Sequence, residues 1–381
     1  MIVAAIFDDS PTDKGRIFVR FDVLIIASFA LAACAGSGDQ PAASAGSASA
    51  ASASAEDSSG LVLPGERHLA NVRQLTFGGN NAEAYFSSDG KQLIFQRQED
   101  TEDGCDQQYI MNTDGSNMQR VSSGQGRTTC GYFYDDDRRI LYSSTHLASP
   151  ACPEPPDFSQ GYVWPVGRFE IFTARPDGSD LRQLTDNGAY NAEATVSPDG
   201  QKVIFTSTRD GDIELYVMNV DGSDVRRLTH RVGYDGGAFF SPDGTQIVWR
   251  AQYPATAADT ADYRRLLAQR LVRPSQLELW VANADGTEAR QVTQLGGANF
   301  APFFHPDGRR VIFASNHETP RGRNFDLYLL DLAGGAVERV TTSDVFDGFP
   351  MFSPDGSQLV FASNRSGAEG ETNIFIADWV E

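Results

Sequence analysis

Among the five histidines of this 381-residue chain, His146, His230 and His317 are the candidates to hold a transition metal, because imidazole is a common ligand. They stand far apart, and no pair has the H-x-x-x-H spacing that sets two imidazoles on one helix face. A metal site would therefore need the tertiary fold to gather them. Serine chemistry has less support, since no G-x-S-x-G nucleophile elbow occurs anywhere in the chain. The acidic clusters Glu99–Asp103 and Asp135–Asp137 lack the alternating spacing of a calcium loop and read as solvated turns. No cofactor motif is present, and none is expected to be bound.

Four cysteines are too few for a disulfide scaffold. Cys34 stands apart from the others. It follows Leu31-Ala32-Ala33 at the end of a ten-residue apolar run, Val23–Ala32, with Arg16 and Arg20 upstream. That run has the length of a signal-peptide core rather than of a membrane span. Leu31-Ala32-Ala33-Cys34 resembles a bacterial lipobox, which implies cleavage before Cys34 and a diacylglyceryl thioether on its sulfur. Several acyl chains give stable anchoring. Ala35 in place of Asp after the cysteine favours the outer membrane under the lipoprotein sorting rule. The expected address is a periplasm-facing lipoprotein, anchored in the outer membrane of a Gram-negative bacterium. Cys105, Cys130 and Cys152 are expected in loops on one face. Their spacing leaves Cys105–Cys130 and Cys130–Cys152 both open; the second is preferred because the Pro-rich segment around Cys152 has no regular pairing of its own.

Lys and Arg number 31 against 51 Asp and Glu, a formal net charge of −20. Such a deficit excludes a nucleic-acid partner, whose affinity comes from cations neutralising phosphates. It also disfavours a charge-held contact with anionic lipid. One segment runs against the trend. Tyr263, Leu266, Leu267 and Leu271 recur at helical spacing before Pro274, with Arg264, Arg265, Arg270 and Arg273 between and beside them. The apolar stripe can pack down as a cap, with the arginines paired to acidic loops. Alternatively, Tyr263 and the four arginines form a partner-docking patch, arginine being enriched at binding hot spots.

Three regions position these residues: a signal at 1–34, a tether at 35–68 and a repeat domain at 69–381. Ala35–Gly60 is almost wholly Ala, Ser and Gly and cannot offset its chain entropy by burial. From Leu69 onward the chain repeats itself. S-P-D-G or a near copy stands at 87–90, 197–200, 241–244, 305–308 and 353–356, with a degenerate DDDR at 135–138. Pro presets the first corner of that turn, and Gly supplies the positive φ it needs. A D-G-[ST] turn and an R-[QR]-[LV]-T-like strand close most units. Each unit reads as four antiparallel strands, a to d, which is one propeller blade. Blades end at Thr76, Ser122, Thr185, Thr229, Thr293 and Thr341, and two long intervals mark insertions in blades 2 and 4. After the last S-P-D-G only strands b and c remain. The missing strand is at the other end, as Val72-Arg73-Gln74-Leu75-Thr76. The N-terminal strand should therefore complete blade 6 and close the ring.

The motif S-P-D-G…V-I-F-x-S…Y-x-M-N-x-D-G-S…R-R-L-T, clearest at 197–229, resembles the repeats of TolB-like six-bladed β-propellers. It is also similar to the propellers of prolyl-oligopeptidase and dipeptidyl-peptidase relatives. The likeness covers 69–381 and implies an all-β, six-bladed propeller. It also implies, more loosely, a non-catalytic role: binding a protein or cell-envelope partner on the loop face. Where TolB carries an α/β domain before its propeller, this sequence offers the tether. Some propeller lyases with related repeats hold a metal through channel-mouth histidines. The resemblance therefore also implies an alternative, a metal-dependent carbohydrate-active enzyme using His146, His230 and His317.

Overall fold

A computed structural model of the protein describes residues 60–99, 104–320, 322–368 and 370–381. Cys34, expected to carry a lipid, and the segment expected to be a signal lie outside the described residues. Six four-stranded antiparallel sheets form the blades of a propeller. Blade 1 comprises Asn80–Phe86, Gln92–Gln98, Gln107–Asn112 and Gln119–Arg120, and blade 2 Thr128–Tyr134, Arg139–Ser144, Glu170–Ala174 and Arg182–Gln183. Blade 3 comprises Asn191–Val196, Lys202–Ser207, Glu214–Asn219 and Arg226–Arg227, and blade 4 Tyr234–Phe240, Gln246–Gln252, Glu278–Asn283 and Arg290–Gln291. Blade 5 comprises Asn299–Phe304, Arg310–Ser315, Asp326–Asp331 and Val337–Arg339. Blade 6 has Asp347–Phe352, Gln358–Ser363 and Asn373–Trp379, and its fourth strand is Leu69–Gln74. Leu69 pairs with Trp379 and Gln74 with Phe375, so the ring closes as expected and no blade-6 edge is left bare.

The repeat motif has a hydrogen-bonding cause. In S-P-D-G the Ser197 hydroxyl donates to Asp199 at 2.5 Å and accepts the Lys202 amide at 2.9 Å, while Gly200 takes φ +70°. At the end of each blade the Thr or Ser ties strand d to strand c. Thr185 accepts the Ile171 amide at 2.9 Å and donates to Glu170 at 2.5 Å; Thr293 does the same with Leu279 and Glu278. Two residues earlier, the Arg or Gln side chain donates to the backbone carbonyl of that Thr, as Gln183 does at 2.7 Å. The glycine of D-G-S is required by packing between blades. A Cβ on Gly222, at φ +89°, would meet the Leu184 carbonyl oxygen at 2.8 Å. The degenerate DDDR turn is also structural: Asp137 accepts the Ser88 amide and hydroxyl, each at 2.7 Å, linking the turns of blades 1 and 2.

All six innermost strands carry a β-bulge. The bulged residues Glu83, Cys130, Glu193, Gly237, Ala301 and Phe349 all have φ between 50° and 63°. Two residues further along, aromatic rings from opposite sides of the ring meet at its axis. Tyr85 of blade 1 lies 5.6 Å from Phe239 of blade 4, which lies 5.2 Å from Phe303 of blade 5, with Tyr132 5.9 Å from Tyr85. The channel is plugged at this level.

Residues 61–68, placed in the tether by composition, pack onto the ring instead. Leu61 and Val62 lie against the core, and Glu66 and His68 are buried. Packing begins there because Glu66 answers a buried arginine, Arg365, at 3.1 Å.

Candidate functional site

The b–c loops carry both insertions, and these find each other. Trp164–Pro165 of blade 2 pairs antiparallel with Leu271–Val272 of blade 4, and the Val166 amide donates to the Arg270 carbonyl at 2.8 Å. Helix α1, Ala257–Ala268, stands beside this small sheet. Thr256 and Asp259 start it with a capping box, each side chain accepting the other's backbone amide at about 3 Å. The helix was expected to continue to Pro274. It stops at Ala268, because Arg270 turns left-handed at φ +60° and Leu271 enters the two-strand sheet. Leu266 is buried, and Tyr263 donates to the Asp212 carboxylate at 2.5 Å and to the Gly233 carbonyl. The two insertions together form a cap resting on blades 3 and 4.

Beneath the cap lies a polar layer, above the aromatic plug. Trp164 lies edge-on to Tyr234, ring centroids 6.1 Å apart, and the Arg250 guanidinium sits 5.4 Å from the Trp164 ring centre. Arg250 ion-pairs with Glu193 and donates to the Tyr234 hydroxyl at 2.8 Å. Glu193 also accepts from Thr206 at 2.7 Å and from the Gly237 amide at 2.9 Å. Nearby, Glu83 accepts the Cys130 amide at 3.2 Å. Burial pushes the Glu83 carboxyl up to about 7, with the Glu193 charge adding to the rise. The Cys130 thiol is likewise held well above its ordinary range, chiefly by burial. Such a thiol is a poor nucleophile at neutral pH.

The three histidines are not brought together, and the described residues contain no group of three or more potential metal ligands. His146 and His317 occupy the same place in two different blades, four residues after the aromatic of strand b. His146 packs on Phe172 with centroids 4.5 Å apart and hydrogen-bonds Ser144 at 2.8 Å; His317 packs on Tyr328 at 4.5 Å and hydrogen-bonds Ser315 at 2.9 Å. Arg209 and Arg365 fill this position in blades 3 and 6, over Phe205 and Phe361 at 5.1 and 4.9 Å, and Tyr253 fills it in blade 4. These side chains cap aromatic pairs of single blades. His230 lies exposed in the link between blades 3 and 4.

The expected Cys130–Cys152 pairing is corrected: Cys105 and Cys152 form the disulfide, with Cα atoms 5.6 Å apart, and Cys130 is free and buried. Cys130 is not in a loop but at the bulge of the innermost strand of blade 2, facing Glu83, out of reach of the insertion that holds Cys152. The bond ties the b–c loop of blade 1 to the insertion of blade 2.

Among the expected docking residues, Arg265 pairs with Asp262 at 2.6 Å, and Arg273 lies 3.7 Å from the same carboxylate. Arg264 and Arg270 instead line a hollow between the cap and blade 3, about 570 Å³ in volume, together with Arg168 and Arg209. Sequence reasoning missed Arg168 and Arg209, because each is a lone cation in its own segment.

The family model for the TolB β-propeller domain matches residues 163–261 and 263–378. A TolB homologue of Chlorobium luteolum is 29% identical over 169 residues, 44% of this chain. That match spans only 33% of the relative's length. TolB of Acinetobacter baumannii superposes with a TM-score of 0.51 at 18% identity, covering 79% of this chain and 64% of that one. TolB from Agrobacterium tumefaciens gives 0.51 at 19%, covering 80% and 91%. At these identities the superpositions speak for the fold alone.

Proposed function

The chain belongs to the TolB β-propeller domain family, and from that premise we propose that it is a non-catalytic binding protein of the bacterial cell envelope. It engages a protein or envelope partner with the face formed by the b–c loops and the cap. The observation that carries this reading is where the extra sequence goes. Both insertions build on one face, where Arg265 is exposed on α1 and Arg264 and Arg270 are exposed beside the hollow. Below that face the aromatic plug fills the axis, and the buried charges of the polar layer are paired or hydrogen-bonded. The geometry favours a presented surface over a reaction chamber.

A periplasm-facing position, with Cys34 lipidated and anchored in the outer membrane, belongs to the same proposal and rests on the lipobox-like Leu31–Cys34 segment. Replacing Cys34 by Ser should abolish lipid labelling and release the protein from the membrane fraction; unchanged sedimentation would refute the anchor. For the docking face, Arg264→Glu with Arg265→Glu should remove crosslinked envelope partners at an unchanged melting temperature. Arg309→Glu, on the opposite turn face, should retain them. Partners lost only with Arg309→Glu would place docking on the wrong face.

A further inference from the structure

We infer that the hollow between the cap and blade 3 binds a compact polyanion, a small molecule bearing two or more phosphate or carboxylate groups. Four arginines reach it from three separate segments. Arg168 follows the cap strand of blade 2, Arg209 lies on the b–c loop of blade 3, Arg264 on α1, and Arg270 in the turn after it. No carboxylate is among the lining residues. In a chain of net charge −20, this is a local inversion of sign.

The convergence on one hollow carries the argument. Many other arginines are held by carboxylates, as Arg139 is by Asp180, Arg227 by Glu214, Arg310 by Asp307 and Arg339 by Asp326, and others by neutral groups, as Arg97 is by Asn81 and Arg231 by the Tyr253 ring. Arg168, Arg264 and Arg270 make no ion pair with any described residue, and all three are exposed. Arg209 is half-buried and hydrogen-bonded to neutral groups, with the Asp210 and Glu170 charges near it. Its guanidinium donates to Ser207 at 3.2 Å and to Asn191 at 3.0 Å, and lies 4.9 Å from the Tyr216 ring centre. Three acidic residues nearby accept hydrogen bonds within the fold. Asp210 accepts from the Tyr216 hydroxyl at 2.7 Å, and Asp212 from Tyr263 at 2.5 Å. Glu170 accepts from Thr185 at 2.5 Å and from the Gly188 amide at 2.8 Å.

Converging like charges repel, and although the Asp210 and Glu170 charges act on Arg209, no ion pair with a described residue offsets the repulsion at Arg168, Arg264 and Arg270. A bound anion would. Guanidinium forks match phosphate and carboxylate oxygens two at a time, so four of them suit a ligand with several anionic groups. A hollow of about 570 Å³ is also larger than a lone phosphate needs and lies within the range of small-molecule sites. Tyr190 and Thr208 line it as well, adding an aromatic ring and a hydroxyl. The inference does not rest on protein docking, because the hollow can take a small molecule whether or not the face also meets a protein.

Calorimetric titration of the full chain at low salt, with tripolyphosphate, citrate and neutral maltose in separate runs, tests it. At least one of the two anions should bind, and the tighter one identifies phosphate or carboxylate as the favoured group. Maltose should not bind. Arg168→Gln combined with Arg270→Gln should weaken the anion about tenfold or more, the scale of one lost charge-assisted contact. Its melting temperature should be equal or higher, since repulsion has been removed. Arg309→Gln, on the opposite turn face and outside the hollow, should bind as the parent does. Absence of binding by both anions, or equal affinity in the double variant, would overturn the inference.

Discussion

The guanidinium of Arg365 lies 3.1 Å from the carboxylate of Glu66, and 3% and 0% of the two side chains is exposed. Glu66 precedes the first strand of the ring, whereas Arg365 follows strand b of the last blade. A second buried carboxylate, Asp347, stands 3.0 Å from the same guanidinium. Glu66 also accepts the Leu63 amide at 2.8 Å and the Thr342 amide at 3.2 Å. The closing strand is thus locked by sheet pairing and by a buried charge cluster behind it.

Removing Glu66 leaves Arg365 paired with Asp347, but it leaves the buried guanidinium one partner short and the Leu63 and Thr342 amides without their acceptor. Glu66→Ala should cost about 1–3 kcal/mol, the scale of buried donors left unsatisfied. Chemical denaturation measures it. A loss within the range of an exposed pair would mean the segment before Leu69 contributes nothing to closure.

Glu83 sets a pH dependence of definite sign. Its ordinary value of 4.5 rises to about 7 on burial, so between these values the folded chain keeps a proton that the unfolded chain releases. Stability therefore falls as pH rises through that window and stays lower above it. Asp235, pushed up to about 8 by burial, acts in the same direction. Glu83→Gln removes one contribution, so its stability between about pH 5 and pH 8 should decline less than the parent's, by up to ~3 kcal/mol. Parallel denaturation curves at the two pH values decide it, and identical declines would contradict the assignment.

Gly237 is the bulge residue that must be glycine for a reason outside its own backbone. The other five bulge positions carry side chains at similar positive φ. A Cβ on Gly237 would fall 1.8 Å from Nη1 of Arg250. Gly237→Ala should destabilise by about 1–3 kcal/mol. The cost should be non-additive with Arg250→Ala in a double-mutant cycle, since both act on one space. Simple additivity would exclude the steric account.

The disulfide closes a segment with a sequence separation of 47. Loop-closure entropy alone makes its loss worth about 4 kcal/mol. Cys152→Ser should show a drop of that order, whereas Cys130→Ser should leave the crosslink intact. Peptide mapping without reductant should recover Cys105 joined to Cys152, with Cys130 alkylated only after unfolding. A mapped Cys130 crosslink would refute the pairing.

Local signals made the ring legible in the sequence. S-P-D-G and D-G-S specify turns through contacts within five or six residues, and the strands between them are bounded by those turns, so blade number followed. The orphan strand ending at Thr76 implied closure, because a blade lacking its fourth strand leaves an edge that only a remote segment can cover. The helix was legible from its apolar spacing and arginines, though its end was not: the left-handed turn at Arg270 is imposed by pairing with Trp164–Pro165, more than a hundred residues earlier. Long-range packing decided everything that concerns the site. It gave His146 and His317 to separate aromatic pairs, turned Cys130 inward while Cys105 met Cys152, and gathered Arg168, Arg209, Arg264 and Arg270 from three segments around one hollow. Turn chemistry is written in neighbouring residues, whereas convergence of side chains across blades depends on where the completed ring sets them in space.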